Sequence, residues 1–400
     1  MALLPVAEAL RRILDGVEPV AIQRAALINC SDLTLAEDLA AKYTQPPFDA
    51  SAMDGYAVRA VDLVALPVTL TQIGVSRAGR GFQGRVAGSQ CVRILTGAPM
   101  PDGADAVVIQ ENCDVAADRV TIRDGTVDIG HIRPRGGDFS EGDVLLHAGR
   151  RLDARAITLA AAMGHASLVV RRKPVVAILA TGDELVHPGT TPGPDQIVCS
   201  NPFGLAALVT AFGGEPQFIG IARDTQQDIG ESVASAASAD VLVTIGGASV
   251  GDHDLVAPAL EARGLKLDFW KIAMRPGKPL LFGRLGAQRV LGLPGNPVSA
   301  LVCARLFLVP LIAHLLGRTS RAAAPVIATL TVPLAANGPR DHYMRAALDQ
   351  TTALPRVTPM PNQDSSLVSA LAAADCLIVV PANAPAMQVG SAVHILRMDF

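Results

Sequence analysis

Five acidic residues follow short apolar runs, where a loop can hold side chains at the end of a strand. They are Asp183, Glu184, Asp224, Asp252 and Asp254. The sequence has no cysteine cluster and no histidine pair at zinc spacing, and His253 is a lone imidazole between two aspartates. Ligation by oxygen alone is typical of Mg²⁺ rather than of a transition metal. These residues therefore favour a Mg²⁺-compatible pocket.

Glycine and basic residues indicate a second part of the same chemistry. Gly246-Gly247 and Gly251 precede a helical pattern, so their backbone N–H groups can approach a phosphate closely. Lys271, Arg275 and Lys278 lie in one proline-stiffened loop, where they either face one anion or form a solvated surface. The lysine-containing loop of NTPases is absent, which disfavours an ordinary NTPase. We expect an oxyanion or phosphate guest and phosphoryl or nucleotidyl chemistry.

Three apolar runs must position these loops. They are Val175–Ala180, Val241–Ile245 and Val290–Leu293, and each leads through a loop containing glycine or proline towards a helical pattern. In an open parallel sheet such loops gather at the carboxyl ends of the strands. One pocket is therefore expected to collect residues from all three.

The flanking segments predict separate units. Alternating residues from Val68 to about Val127 predict a small inserted β domain, and short alternating runs after Pro325 predict a β-barrel or sandwich. Within the insert, Gly79–Gly84 matches the dinucleotide fingerprint G-x-G-x-x-G, but a strand pattern follows it instead of a helix. No dinucleotide site is predicted there.

Three turns admit both a structural and a functional interpretation. The dipeptide Asp54-Gly55 favours a tight turn with its carboxylate at the tip, and Thr96 begins a turn rich in glycine and proline. The loop Arg133–Asp138 is either a solvated turn or a site for an anionic ligand. Turn chemistry alone favours the structural interpretation for all three.

Composition limits the class of protein. The chain has 400 residues and a formal net charge of −3, which suggests two to four domains and no nucleic-acid footprint. Its six cysteines include no C-x-x-C pair, as expected of reduced thiols in a cytosolic protein. The apolar run Val298–Leu316 contains Arg305 and Pro310, so we predict a core helix and no membrane span.

Six motifs are spread along the chain. They are Ser51–Ala57, Leu95–Pro99, Thr181–Leu185, Gly246–Asp252, Pro276–Pro279 and Leu293–Ser299. Taken together and in this order, they resemble the MoeA family of molybdopterin molybdenumtransferases, which includes the gephyrin E domain. The resemblance covers essentially the whole chain.

The resemblance implies a fold and a domain order. It predicts a MogA-like α/β central domain with a mostly parallel sheet, an elongated α+β N-terminal region carrying the inserted β domain, and a small C-terminal β-barrel. The implied boundaries are 1–44 and 140–172 for an N-terminal dimerisation domain, 45–139 for the insert, 173–318 for the central domain and 325–400 for the barrel.

The resemblance also implies an activity. Members insert molybdate into adenylylated molybdopterin and release AMP with Mg²⁺ present, as cytoplasmic homodimers. Transient contacts with the adenylyltransferase and with molybdoenzyme chaperones are expected, and no nucleic acid or membrane is involved. Two alternatives stay open, namely a MogA-like adenylyltransferase and a non-catalytic gephyrin-like scaffold. Insertion of tungsten is a third, because these residues do not separate tungstate from molybdate.

Site residues are carried over from the same resemblance. The implied catalytic residues are Asp54, Thr96, Asp183, Glu184, Asp224 and Asp254, with Asp183, Glu184 and Asp254 as Mg²⁺ ligands and Asp54 reaching the partner subunit. The implied substrate-binding residues are Asp138, Gly246, Gly247, Ser249, Gly251, Lys271, Arg275, Lys278, Pro294, Gly295, Asn296, Pro297, Ser299, Arg345, Ser365 and Ser366. Arg275 stands where other members have lysine, which keeps the charge and changes its geometry.

Overall fold

A six-stranded central sheet organises the chain. The computed structural model describes residues 3–124, 128–247, 255–318, 326–351 and 354–398. The central sheet has the spatial order Glu215–Ala222, Val175–Thr181, Val241–Ile245, Gln288–Leu293, Leu281–Leu285 and Lys266–Trp270. Its first four strands are parallel and the last two are antiparallel to their neighbours. The three apolar runs are thus adjacent, as predicted.

Both faces of the central sheet are covered, which explains why the three apolar runs are almost entirely buried. Ile178 packs towards the helices Asn201–Ala211 and Pro297–Leu315, while its neighbour Leu179 packs towards Gln226–Ser235 and Val256–Ala262. Each fully buried side chain of this size contributes about 1.5–3 kcal/mol. Successive side chains along a strand therefore stabilise opposite layers.

The helix Pro297–Leu315 belongs to the central core. It is long and apolar enough to cross a membrane by composition alone, but 67% of its most apolar window is buried inside the protein. It comprises Pro297–Cys303, a π-helical turn at Ala304–Leu308, and Val309–Leu315. Pro297 at its first turn has the fixed φ that a helix start requires. The prediction of a core helix is confirmed.

The N-terminal region contains two helices and a small three-stranded sheet. The first helix is Val6–Leu14, and its Ala9 and Ile13 pack into the core of the central sheet. Just before it, the carbonyl of Leu4 accepts the N–H of Ala273 at 2.7 Å. The second helix, Ala154–Ala162, packs on the three-stranded sheet Ile22–Ala26, Ser167–Arg171 and Thr34–Leu35. The first helix is therefore bound to the central sheet rather than to this smaller one.

The predicted insert is a six-stranded mixed sheet. Its spatial order is Ala106–Ile109, Gly55–Val58, Gln90–Ile94, Val68–Ser76, Arg119–Ile122 and Cys113–Ala116. No helix forms at residues 79–84, which confirms that the glycine fingerprint there has no dinucleotide-binding context. The Asp54-Gly55 turn leads directly into a central strand of this inserted sheet.

The C-terminal strands close into a five-stranded barrel. Around the barrel they run Val326–Leu330, Ala392–Arg397, Cys376–Val380, Asp341–Asp349 and Arg356–Pro359, which pairs again with the first. A two-residue strand, Met274–Arg275, extends from the central domain and pairs with Asp341–Asp349. The helix Val368–Ala372 lies beside the barrel. The fold class predicted from the resemblance is confirmed.

Short strand pairs complete the architecture. They are Leu39–Ala40 with Val144–Leu146, Ala50–Ser51 with Ile132–Arg133, and Leu185–Val186 with Ile197–Val198. All six cysteines are free and five of them are buried.

Gly55→Ala is expected to destabilise the inserted sheet. A Cβ at this position would lie 2.0 Å from the carbonyl oxygen of Val108 on the neighbouring strand, and backbone cannot move aside cheaply. We expect a loss of at least about 2 kcal/mol in the free energy of unfolding. Urea unfolding measures it, with Gly338→Ala as the control, because an added Cβ there meets nothing within 4 Å. Equal effects of the two substitutions would contradict the packing argument.

Candidate functional site

A cavity of about 750 Å³ lies at the carboxyl ends of the parallel strands. Gly182 and Glu184 line it after the first apolar run, Gly246-Gly247 after the second, and Gly295-Asn296 after the third. Parallel pairing brings these loops to one edge, so the predicted common pocket is present. Ser366 of the barrel closes part of its wall.

Three carboxylates gather beside this cavity. Asp183 Oδ1 accepts the backbone N–H of Asp224 at 3.2 Å, and Glu184 lies close to both. Partial burial raises the pKa of Asp224, and the charges of Asp183 and Glu184 raise it further. Among the described residues, none of the three forms an ion pair. The group therefore carries uncompensated negative charge.

The metal interpretation rests on the chemistry of these oxygens and not on a complete ligand set. Within the described ranges, no group of three or more His, Cys, Asp or Glu side chains is arranged to hold a metal ion. Asp183 and Glu184 offer the oxygen donors that Mg²⁺ prefers. The third predicted ligand, Asp254, lies outside the described residues, as do Ser249 and Gly251.

Gly246 comes so close to the end of a neighbouring strand that a side chain does not fit at this position. Gly246 has φ +95°, and a Cβ on it would lie 2.6 Å from the carbonyl oxygen of Thr181. The two strand ends therefore touch through backbone. The N–H of Gly246 donates to Leu293 O at 3.1 Å, so this amide is used within the sheet. Gly247 then remains as the predicted phosphate-binding amide of the pair.

The start of the helix Pro297–Leu315 is fixed by two amide side chains. Asn201 Nδ2 donates to Gly295 O at 2.6 Å, and Asn296 Nδ2 donates to Ser365 Oγ at 2.9 Å. Pro294, Gly295, Asn296 and Pro297 all line the cavity, whereas Ser299 is 5% exposed in the first helical turn. Asn201 was missed at the sequence level, although Ser200-Asn201-Pro202 is typical of a helix start.

The basic loop lies at the rim of the cavity. Pro279 lines the cavity wall, while Arg275 and Lys278 are exposed. Lys271 adopts φ +75°, and its Nζ lies 5.3 Å from the centre of the Trp270 ring. The three basic residues thus lie on one loop next to Pro279, and none of them lines the cavity itself.

Arg345 is a buried residue of the strand Asp341–Asp349. Its side chain is 1% exposed and does not line the cavity. It donates to the carbonyls of Leu367, Asn362 and Asp364 at 3.1, 3.2 and 2.8 Å. Burial lowers the pKa of this guanidinium. Arg345 therefore holds the loop 360–367 through these three bonds, and its predicted contact with substrate stays a prediction.

Asp54 and Thr96 meet on the inserted sheet although 42 residues separate them. Asp54 Oδ1 accepts the backbone N–H of Thr96 at 2.7 Å and its hydroxyl at 2.8 Å. These bonds, the backbone one first, lower the pKa of Asp54. Asp138 lies on another loop, where its N–H donates to Gln45 O at 3.0 Å. None of these three residues lines the cavity of the same chain.

Comparison with known proteins agrees with this architecture. Three family descriptions match in succession, namely the MoeA N-terminal region (domains I and II) at residues 4–164, a probable molybdopterin binding domain at 177–314 and the MoeA C-terminal region (domain IV) at 328–398. They define a protein built around a molybdopterin-binding α/β domain. The chain belongs to the MoeA family of molybdopterin molybdenumtransferases.

Relatives match over nearly their whole length. A molybdopterin molybdenumtransferase of Haemophilus influenzae is 36% identical over 365 residues, 90% of either chain. One from Staphylococcus aureus is 31% identical over 404 residues, 99% of this chain and 96% of that one. A crystal structure of a MoeA protein from Pyrococcus horikoshii superposes with a TM-score of 0.85 at 30% identity and covers all of both chains.

Thr96→Val is expected to raise the pKa of Asp54 part of the way towards its ordinary value. The substitution removes the hydroxyl donor and keeps the backbone N–H, which is the larger cause of the lowered pKa. Because the folded-state pKa is depressed, the pairing persists at neutral pH and is lost only as pH falls through that lowered pKa. Carboxyl NMR of aspartate-labelled protein measures it, and Thr69→Val on the same sheet serves as the control. An unchanged titration in Thr96→Val would refute the contact.

Asp224→Asn is expected to stabilise the protein at neutral pH without divalent cations. The folded-state pKa of Asp224 is raised, so its charge destabilises the fold above that pKa and not below the unfolded value. We expect the unfolding midpoint to rise by on the order of 1 °C at pH 7 and to stay unchanged near pH 3. A rise of this size corresponds to a few tenths of a kcal/mol, which is typical of the interactions of exposed charges. Calorimetry tests this, with Asp118→Asn as the control. A lower midpoint at pH 7 would contradict it.

Proposed function

We propose that this chain inserts molybdenum from molybdate into adenylylated molybdopterin and releases AMP. The observation that carries the proposal is the cavity in which loops from three parallel strands meet a loop of the barrel. It combines acidic, amide and hydroxyl groups at one edge of the central sheet. The family of the chain and the names of its relatives support the same activity.

The nucleotide end of the substrate is assigned to the central sheet. Gly247 and the helix start at Gly295-Asn296 lie at the cavity wall, where amide donors and a helix N-terminus favour phosphate oxygens. Asp183 and Glu184 would hold Mg²⁺, which neutralises charge on a bound pyrophosphate. The carboxylate of Asp224 lies beside them and makes the local electrostatic potential more negative, which attracts the Mg²⁺ ion. Asp254 stays the predicted third ligand.

The molybdate end is assigned to the basic rim and the barrel. Lys271, Arg275 and Lys278 would supply charge for a tetrahedral dianion, with hydroxyl donors from Ser365 or Ser366. Ser366 lines the cavity, which supports its place in this set. We assign Arg345 the role of holding their loop. Ser299 keeps its predicted role from the resemblance alone.

The carboxylate of Asp54 is assigned to a second subunit. Asp54 and Thr96 form an exposed pair outside the cavity of their own chain, which supports a role across a homodimer interface. The free cysteines are consistent with a reducing cytoplasm. Transient contacts with the adenylyltransferase and with molybdoenzyme chaperones stay part of the proposal.

The proposal is tested by incubating the purified chain with adenylylated molybdopterin, molybdate and Mg²⁺. We expect release of one AMP per molybdenum incorporated, and chelation of divalent cations should abolish it. Asp183→Ala and Asp54→Ala should each lower the rate at least about 100-fold, as loss of a charged group at a reaction centre does. Asp118→Ala, an exposed aspartate on the inserted sheet, is the matched control.

Two outcomes would overturn the proposal. One is the absence of AMP release by the unaltered chain. The other is formation of adenylylated molybdopterin from ATP, which would make the chain an adenylyltransferase. Normal turnover by Asp183→Ala or Asp54→Ala would remove that residue from the assignment. Retained dimerisation in both variants, measured by sedimentation, separates a catalytic defect from loss of assembly.

A further inference from the structure

We propose that Gln363 is a positioning residue for the molybdate end of the cavity. It acts by fixing the barrel loop, residues 360–367, to the strand Asp341–Asp349. The inference rests on the proposed function, in which Ser365 and Ser366 of this loop contribute to molybdate binding. Gln363 itself does not line the cavity.

The side chain of Gln363 makes hydrogen bonds to the backbone of Arg345 that a neighbouring strand would otherwise make. Its Oε1 accepts the N–H of Arg345 at 3.0 Å, and its Nε2 donates to Arg345 O at 2.9 Å and to Met360 O at 2.9 Å. Arg345 O also accepts the N–H of Met360 at 2.8 Å. One amide thus satisfies both backbone groups of Arg345 as a paired strand would.

Arg345 completes the attachment from the opposite direction. Its guanidinium donates to carbonyls of Asn362, Asp364 and Leu367, which lie on both sides of Gln363. Gln363 therefore holds the backbone of Arg345 while Arg345 holds the backbone around Gln363. Hydrogen bonds from a charged guanidinium are stronger than those between neutral groups. Their geometry depends on where the backbone of Arg345 lies, because the backbone sets the position of the side chain.

The barrel loop transmits this geometry to the central domain. Ser365 O accepts the N–H of Val298 at 3.1 Å, and Ser365 Oγ accepts from Asn296 Nδ2. Ser366 donates its N–H and its hydroxyl to Asp364 Oδ1, both at 2.8 Å. None of the residues 360–367 is buried, so hydrogen bonds rather than apolar packing fix the position of the loop.

Gln363→Met is the informative substitution, because methionine has a similar volume and can make none of the three bonds. Two measurements use the full-length chain. Equilibrium dialysis against molybdate alone is expected to show a Kd raised about tenfold. Hydrogen exchange followed by mass spectrometry is expected to show at least tenfold faster exchange of the Val298 amide. Gln363→Glu, which keeps the acceptor and loses both donor bonds, should be intermediate and serves if Gln363→Met does not fold.

Gln288→Met is the matched control. Gln288 Nε2 also donates to two backbone carbonyls, those of Ala236 at 2.7 Å and Ala239 at 2.8 Å, but at the amino end of its strand and away from the cavity. We expect Gln288→Met to lower the unfolding midpoint about as much as Gln363→Met does. Molybdate binding and hydrogen exchange of the Val298 amide should both stay unchanged in Gln288→Met. The comparison separates positioning from general stability.

The inference is overturned if Gln363→Met binds molybdate like the unaltered chain, or if its changes equal those of Gln288→Met. It is also overturned if the unaltered chain binds no molybdate. Failure of the proposed function has a different signature, because AMP release can be absent while molybdate binding and its dependence on Gln363 persist.

Discussion

Parallel pairing of three strands is the constraint on which the cavity depends. Hydrogen bonding in register sets Ile178 beside Val243 and Val243 beside Leu291, so the three strands end at the same level. Each loop that follows must then share the same small volume. A Cβ on Gly246 would lie 2.6 Å from the carbonyl oxygen of Thr181, so a side chain there would separate the strand ends.

Charge is distributed around the cavity according to this convergence. The strand ends bring Asp183, Glu184 and Asp224 together, and among the described residues none of these three forms an ion pair. The basic residues Lys271, Arg275 and Lys278 lie on a separate loop. Like charges held together by covalent and hydrogen-bonded backbone are tolerated because strand pairing is stronger than their repulsion in water. The three carboxylates therefore favour the binding of a cation at this end of the cavity.

Much of this organisation follows from local sequence patterns. Apolar runs, glycine loops and helix starts have local causes, so the succession of strand, loop and helix and the shared pocket could be predicted. The partner of Asp54 could not, because the Thr96 turn reaches it through pairing of distant strands. The burial of Arg345 could not be predicted either, for a related reason. An arginine on a strand is usually exposed, and its burial here depends on carbonyls from a loop that no pattern in the sequence pairs with it.

The association of residues 4–14 with the central sheet has a consequence for how the chain is made. Ala9 and Ile13 pack against side chains that are synthesised about three hundred residues later, among them those of the helix Pro297–Leu315. On the ribosome this first helix emerges long before its binding surface exists. Its apolar face therefore lacks this binding surface until those later residues are made, and the central domain is finished only when the helix packs against them.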